Sequence, residues 1–151
     1  MTTHQIIELL NDFIPFSNND PENDNEAFFY KSMDELKSKE DFEKAIEPIF
    51  KLIEKYPQTD FGSPGPFVHT LEFFTGYYED YLFESLNRRP TLLTVLMLNR
   101  IINEEDNLII KQNLIDRLES LLTHPSLDKE ATDAIVLSLI KRKKLNRITE
   151  R

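Results

Sequence analysis

The chain has 151 residues, 40% of them apolar, with no cysteine and a formal net charge of −9. That length predicts one helical domain over 1–151 with a core of its own. Disulfides, thiolate metal sites and cysteine nucleophiles are excluded, and the acidic balance argues against nucleic acid, whose phosphates it repels.

The charge is uneven. Residues 1–60 carry 14 acidic and 6 basic side chains, residues 61–110 carry 7 and 3, and residues 111–151 carry 6 and 9. Such a field steers a basic protein toward the chain. The start, "MTTHQIIELL", lacks the basic region and small-residue cleavage site of a secretory signal. No apolar run approaches the ~18 residues of a membrane span. A cytoplasmic protein without membrane partners is expected.

Helical periodicity dominates from the first residues. Ile6, Leu9, Leu10 and Phe13 form one stripe. Thr3 is the expected N-cap, and Pro15 the expected stop. The polar, acidic stretch 17–26 reads as a mobile loop, rich in turn-forming Asn and Asp. A second helix, "EAFFYKSMDELKS", turns Phe28, Phe29, Met33 and Leu36 inward. Ser38 and Asp41 in "SKED" suit a capping box for the third helix. Its inward set is Phe42, Ala45, Ile46, Ile49, Leu52 and Ile53, with a kink or break expected at Pro48.

All three glycines lie in the next stretch, at positions 62, 65 and 76. "GSPGP" cannot be regular helix, and Pro66 suits the first turn of a helix that runs toward Thr75. Gly76 weakens that helix before "YYEDYLFESLNRR". Pro90 opens "TLLTVLMLNRIIN", apolar almost all round and so expected to be covered on most sides. "LIIKQNLIDRLESLL" is amphipathic again, and "THPSLD" breaks it. The last helix buries some subset of Ala131, Ala134, Ile135, Leu137, Leu139 and Ile140, and its basic end, Lys141 to Lys144, matches the helix dipole. The expected fold is all-α: about seven antiparallel helices, in an irregular bundle or in HEAT-like stacked helical hairpins.

Motifs for catalysis are thin. His69 and Glu72 are three apart and Glu79 lies seven further on, which on one continuous helix is one face. A metal site needs more ligands, and His4 and His124 belong to other helices. Ser63 lacks the G-x-S-x-G setting of a serine nucleophile, and "GSPGP" has no Lys-Ser/Thr to make a phosphate cradle. No enzyme activity, cofactor, metal or small-molecule substrate is expected. Phe67, Leu71, Phe74, Tyr78 and Leu82 follow core spacing. The opposite side gathers carboxylates and rigid phenols: His69, Glu72, Tyr77, Glu79, Asp80, Tyr81 and Glu84. Tyrosines bury large area at little entropic cost, and carboxylates accept from Lys and Arg, so these seven residues are the expected partner-binding face.

From Phe61 to Asn103 the "GSPGP" turn, the following His69 and Glu72, and "RRPT" with "MLNRIIN" resemble small all-helical immunity proteins of bacterial toxin–immunity systems, including those of contact-dependent growth inhibition. The resemblance implies a non-enzymatic protein that binds and neutralises one cognate toxin, often a nuclease. It fixes no universal contact residues. A nuclease must hold phosphates and is often basic, which an acidic inhibitor complements. The alternative expectation is a HEAT-like scaffold or adaptor for another protein partner.

Overall fold

The computed structural model describes the backbone of residues 1–149 and the side chains of residues 1–144. The fold is all-α, with eight α-helices and no strand among the described residues. The chain divides into two compact units, Met1–Ser85 and Leu86–Arg151. Charge follows the division: unit 1 holds 18 acidic and 6 basic residues, for −12, and unit 2 holds 9 and 12, for +3.

Unit 1 begins with α1, Thr3–Asp12. Its N-cap is Thr2, one residue before the expected Thr3, in a reciprocal box with Gln5. Thr3 is buried instead, and its hydroxyl donates to Asp41. Asp41 therefore closes no capping box with Ser38, whose hydroxyl donates to the Glu35 carbonyl. Beyond α1, Phe13 is extended and buried. The 17–26 segment is a string of turns: Asp20 accepts from the amides of Glu22 and Asn23, and Asn25 and Phe16 exchange two hydrogen bonds at its base.

The second predicted helix is a single 3-10 turn, Ala27–Phe29, followed by α2, Tyr30–Leu36. Phe29, Met33 and Leu36 point inward, whereas Phe28 is 39% exposed and lies against Phe13 and Phe16. The third is likewise a 3-10 turn, Phe42–Ala45, and then α3, Ile46–Lys55. The break falls before Pro48 and not at it. Pro48 thereby sits in the first turn of α3, where its missing N–H leaves no hydrogen bond unmade.

After α3 the "GSPGP" turn leads into α4, Gly65–Phe73, and then α5, Glu79–Arg88, within which the unit boundary falls. Phe13, Phe29, Phe61 and Phe67 pack ring against ring, with centroids 4.7–6.1 Å apart, and form the middle of the unit 1 core.

Unit 2 contains α6, Leu92–Glu104; α7, Leu108–Ser120; and α8, Lys129–Thr149. Pro90 precedes the N-cap of α6 and does not sit in its first turn. That cap is Thr91, in a buried box with Thr94. Val95, Leu98 and Ile102 are fully buried, but Leu92 is 38% exposed, so α6 is covered on fewer sides than its composition predicts. In α7 the buried stripe shrinks to Leu118, continued by Leu121, while Leu108 and Ile109 are exposed. In α8, Ala131 and Ile135 are buried, and Leu137 and Ile140 face out.

Candidate functional site

The Gly76 turn shapes the acidic surface of unit 1. Gly76 has φ +97°, which ends the α4 segment and reverses the chain. Both carboxylate oxygens of Glu79 accept from its N–H at 2.9 Å, so Glu79 is committed to closing the turn. The reversal separates two adjacent phenols. Tyr78 goes into the core and Tyr77 stays 54% exposed. The Tyr77 ring stands edge-on to Phe42 at 5.1 Å, and Phe42 stacks on Phe74 at 3.9 Å. A rigid aromatic base thus holds the exposed phenol.

Beside it lies a cleft of about 330 Å³, lined by Glu43, Gly76, Tyr77, Asp80, Tyr81 and Glu84. Glu43 comes from the 3-10 turn before α3, 38 residues from Tyr81, whose hydroxyl donates to it at a long 3.4 Å. Burial pushes the Tyr81 phenol above its ordinary range; the negative charge of Glu43 and the hydrogen bond to it push the same way, as do Glu47 and Glu84. Glu43, Glu47 and Asp80 enter no ion pair among the described residues.

Four of the seven expected residues, Tyr77, Asp80, Tyr81 and Glu84, therefore line one cleft with Glu43. The other three do not. Glu79 borders the cleft but is held by the turn. His69 and Glu72 stay on α4, which ends at Phe73, so the single helix face expected to carry both of them with Glu79 does not exist. Glu43 and Glu47 were invisible to sequence reasoning, because only tertiary packing brings them to α5.

His69 lines a second cleft of unit 1, about 750 Å³, between α2 and α4. Two stripes with i, i+3, i+4, i+7 spacing face each other there: Tyr30, Met33, Asp34 and Lys37 opposite Pro66, His69, Thr70 and Phe73. Lys37 lies over the Phe73 ring, 5.6 Å from its centroid, and 3.9 Å from Asp34. This cleft is the larger of the two, but its charges are mixed: Lys31, Asp34 and Lys37 line it together.

His69 makes no hydrogen bond among the described residues, so no base–orienter pair exists at it. His124 is structural: its Nδ1 accepts from the Ser126 amide, which leaves Nε2–H to donate to the Asn87 carbonyl at 2.7 Å. Among the described residues no three His, Cys, Asp or Glu side chains are grouped to hold a metal, and no helix is long and apolar enough to cross a membrane. Comparison with protein-family models, with curated proteins and with solved structures finds no match to this chain.

Proposed function

We propose that this protein is a binding inhibitor whose α5 cleft docks a cationic protein, and that its role is that of an immunity protein for a basic toxin of the nuclease kind. One observation carries the reading: two phenols, Tyr77 and Tyr81, converge in one cleft with two carboxylates, Glu43 and Asp80, that have no cationic partner among the described residues, in a unit with charge −12. Carboxylates that no described residue pairs, here Glu43 and Asp80, are available to lysines and arginines of another chain. Phenols fixed on an aromatic base add contact area without a large ordering penalty. The toxin class comes from the sequence resemblance over Phe61–Asn103.

The test is protection. The chain is co-expressed with the polypeptide encoded by the neighbouring gene, expected to be a toxin, and survival is scored for the wild type and for a Glu43→Lys, Asp80→Lys double variant. Survival with the wild type and death with the folded double variant are expected. Death in both cases removes the inhibitor reading.

A second reading, a helical scaffold for a different protein, draws on unit 2. Val136, Leu137 and Ile140 form an exposed apolar stripe on α8, and Leu108, Ile109 and Ile110 are exposed on the first turn of α7. Purification of a large assembly, in place of a complex with one small basic protein, is the outcome that favours it.

A further inference from the structure

Unit 2 holds its own cleft, about 420 Å³, between α6 and α8. Its apolar wall includes Leu96 and Leu137, and its polar wall is Asn99, Asn103, Lys141 and Arg142. Nη2 of Arg142 donates to Oδ1 of Asn99 and to Oδ1 of Asn103, each at 3.1 Å, and the Ser138 hydroxyl donates to the same Asn99 oxygen at 2.6 Å. A guanidinium only donates, so the amide atoms that meet it must be oxygens. Both Nδ2 groups are then left as donors, and neither has a partner among the described residues.

The polar wall therefore offers amide, guanidinium and ammonium donors, and no carboxylate lines it. Arg142 has no ion pair among the described residues. Its Nε is buried without a hydrogen-bond partner, the one such side-chain atom among the described residues. Desolvation makes the guanidinium give up its proton more readily than usual. A cation drawn out of water without a counter-charge is an unfinished arrangement. An oxyanion in the cleft supplies the missing counter-charge.

We propose that the α6–α8 cleft binds a small organic oxyanion, a carboxylate or phosphate ester, with its charged group on Arg142, Asn99 and Asn103 and a short apolar body against Leu96 and Leu137. The site is independent of the acidic cleft, so either proposal can fail alone.

The test is a ¹⁵N NMR titration of the full chain with butyrate and, separately, with inorganic phosphate, against sodium chloride at matched ionic strength. Saturable shifts of the Asn99 and Asn103 side-chain amides and of Arg142 Nε–H are expected with at least one probe. Saturation by butyrate alone marks a carboxylate ligand, and by phosphate alone a phosphate ester. Asn103→Asp supplies Arg142 with an internal counter-charge. It should weaken binding by about tenfold or more without lowering the thermal midpoint, which separates loss of the site from loss of the fold. Arg142→Gln serves the same purpose if that variant does not fold. Shifts no different from those in sodium chloride, or a smaller loss of affinity in the folded variant, would overturn the proposal.

Discussion

Two glycines with the same backbone sign carry different demands. At Gly76, φ is +97° and an added Cβ meets nothing within 4 Å. Only backbone strain opposes a side chain there, so Gly76→Ala should lose about 1–2 kcal/mol. At Gly62, φ is +98°, and a Cβ would lie 2.5 Å from the Gly65 Cα and 2.8 Å from Glu26 Oε1. Strain and overlap combine, so Gly62→Ala should lose about 3 kcal/mol or more. Urea unfolding of both variants in one buffer checks the order; equal losses would mean that the overlap with the Gly65 Cα and Glu26 is relieved at no cost. Tyr81 supplies a pH prediction. Its phenol is held above the ordinary range by burial first and Glu43 second. The folded state binds that proton more tightly than the unfolded state, so the stabilisation is complete below the unfolded phenol range and disappears as pH rises through the folded value. Tyr81→Phe should flatten the alkaline fall in stability and remove amplitude from the late end of the phenolate absorbance titration.

At the scale of single elements, caps and breaks are where sequence and structure part. Thr91 and Thr94 exchange hydrogen bonds with each other's backbone at the start of α6, and both are fully buried. Thr91→Ala therefore removes a cap and leaves buried groups unpaired, at about 1–2 kcal/mol. Thermal unfolding followed by circular dichroism should show it, and a change under a few tenths of a kcal/mol would mean that water replaces the hydroxyl. Inward faces were legible, because a 3.6-residue period records which side is buried. Ile6 and Leu10 of α1, Ile46, Ile49, Leu52 and Ile53 of α3, and Phe67 and Leu71 of α4 are all buried as their spacing predicts. Exact ends were not. Thr2 and Thr3 are chemically equivalent as caps, and the choice between them is made by Asp41, 38 residues away, which accepts from Thr3. The same sequence separation divides Tyr81 from Glu43, so Glu43, one of the six residues lining the acidic cleft, has no local signature. The amphipathic pattern of α7 also overstates burial, because Leu108 and Ile109 are 79% and 76% exposed despite suiting a core.

For the whole molecule the governing quantity is where the charge sits. The −9 of the chain is −12 in unit 1 and +3 in unit 2, so the net value understates the field around the α5 cleft. Such a field accelerates encounter with a cationic partner more than it tightens the final complex. Glu43→Lys with Asp80→Lys takes unit 1 from −12 to −8 and reverses two carboxylates that no described residue neutralises. Glu79 is left in place because its carboxylate closes the Gly76 turn, and replacing it would confuse steering with folding. The double variant should associate roughly tenfold more slowly at low ionic strength. Raising salt from about 0.01 M to about 0.15 M shortens the screening length from about 30 Å to about 8 Å. The wild-type association rate should fall steeply across that range and the variant's much less, so the two curves converge. Tyr77→Ala tests the other half of the cleft. The exposed ring contributes contact area and no charge, so its loss should leave association nearly unchanged and speed dissociation by about five- to thirtyfold, the equivalent of about 1–2 kcal/mol. Stopped-flow and surface-binding measurements with the partner recovered in the protection assay separate the two effects. If the double variant associates as fast as the wild type at low salt, the partner docks elsewhere, and Glu43 and Asp80 serve only solvation.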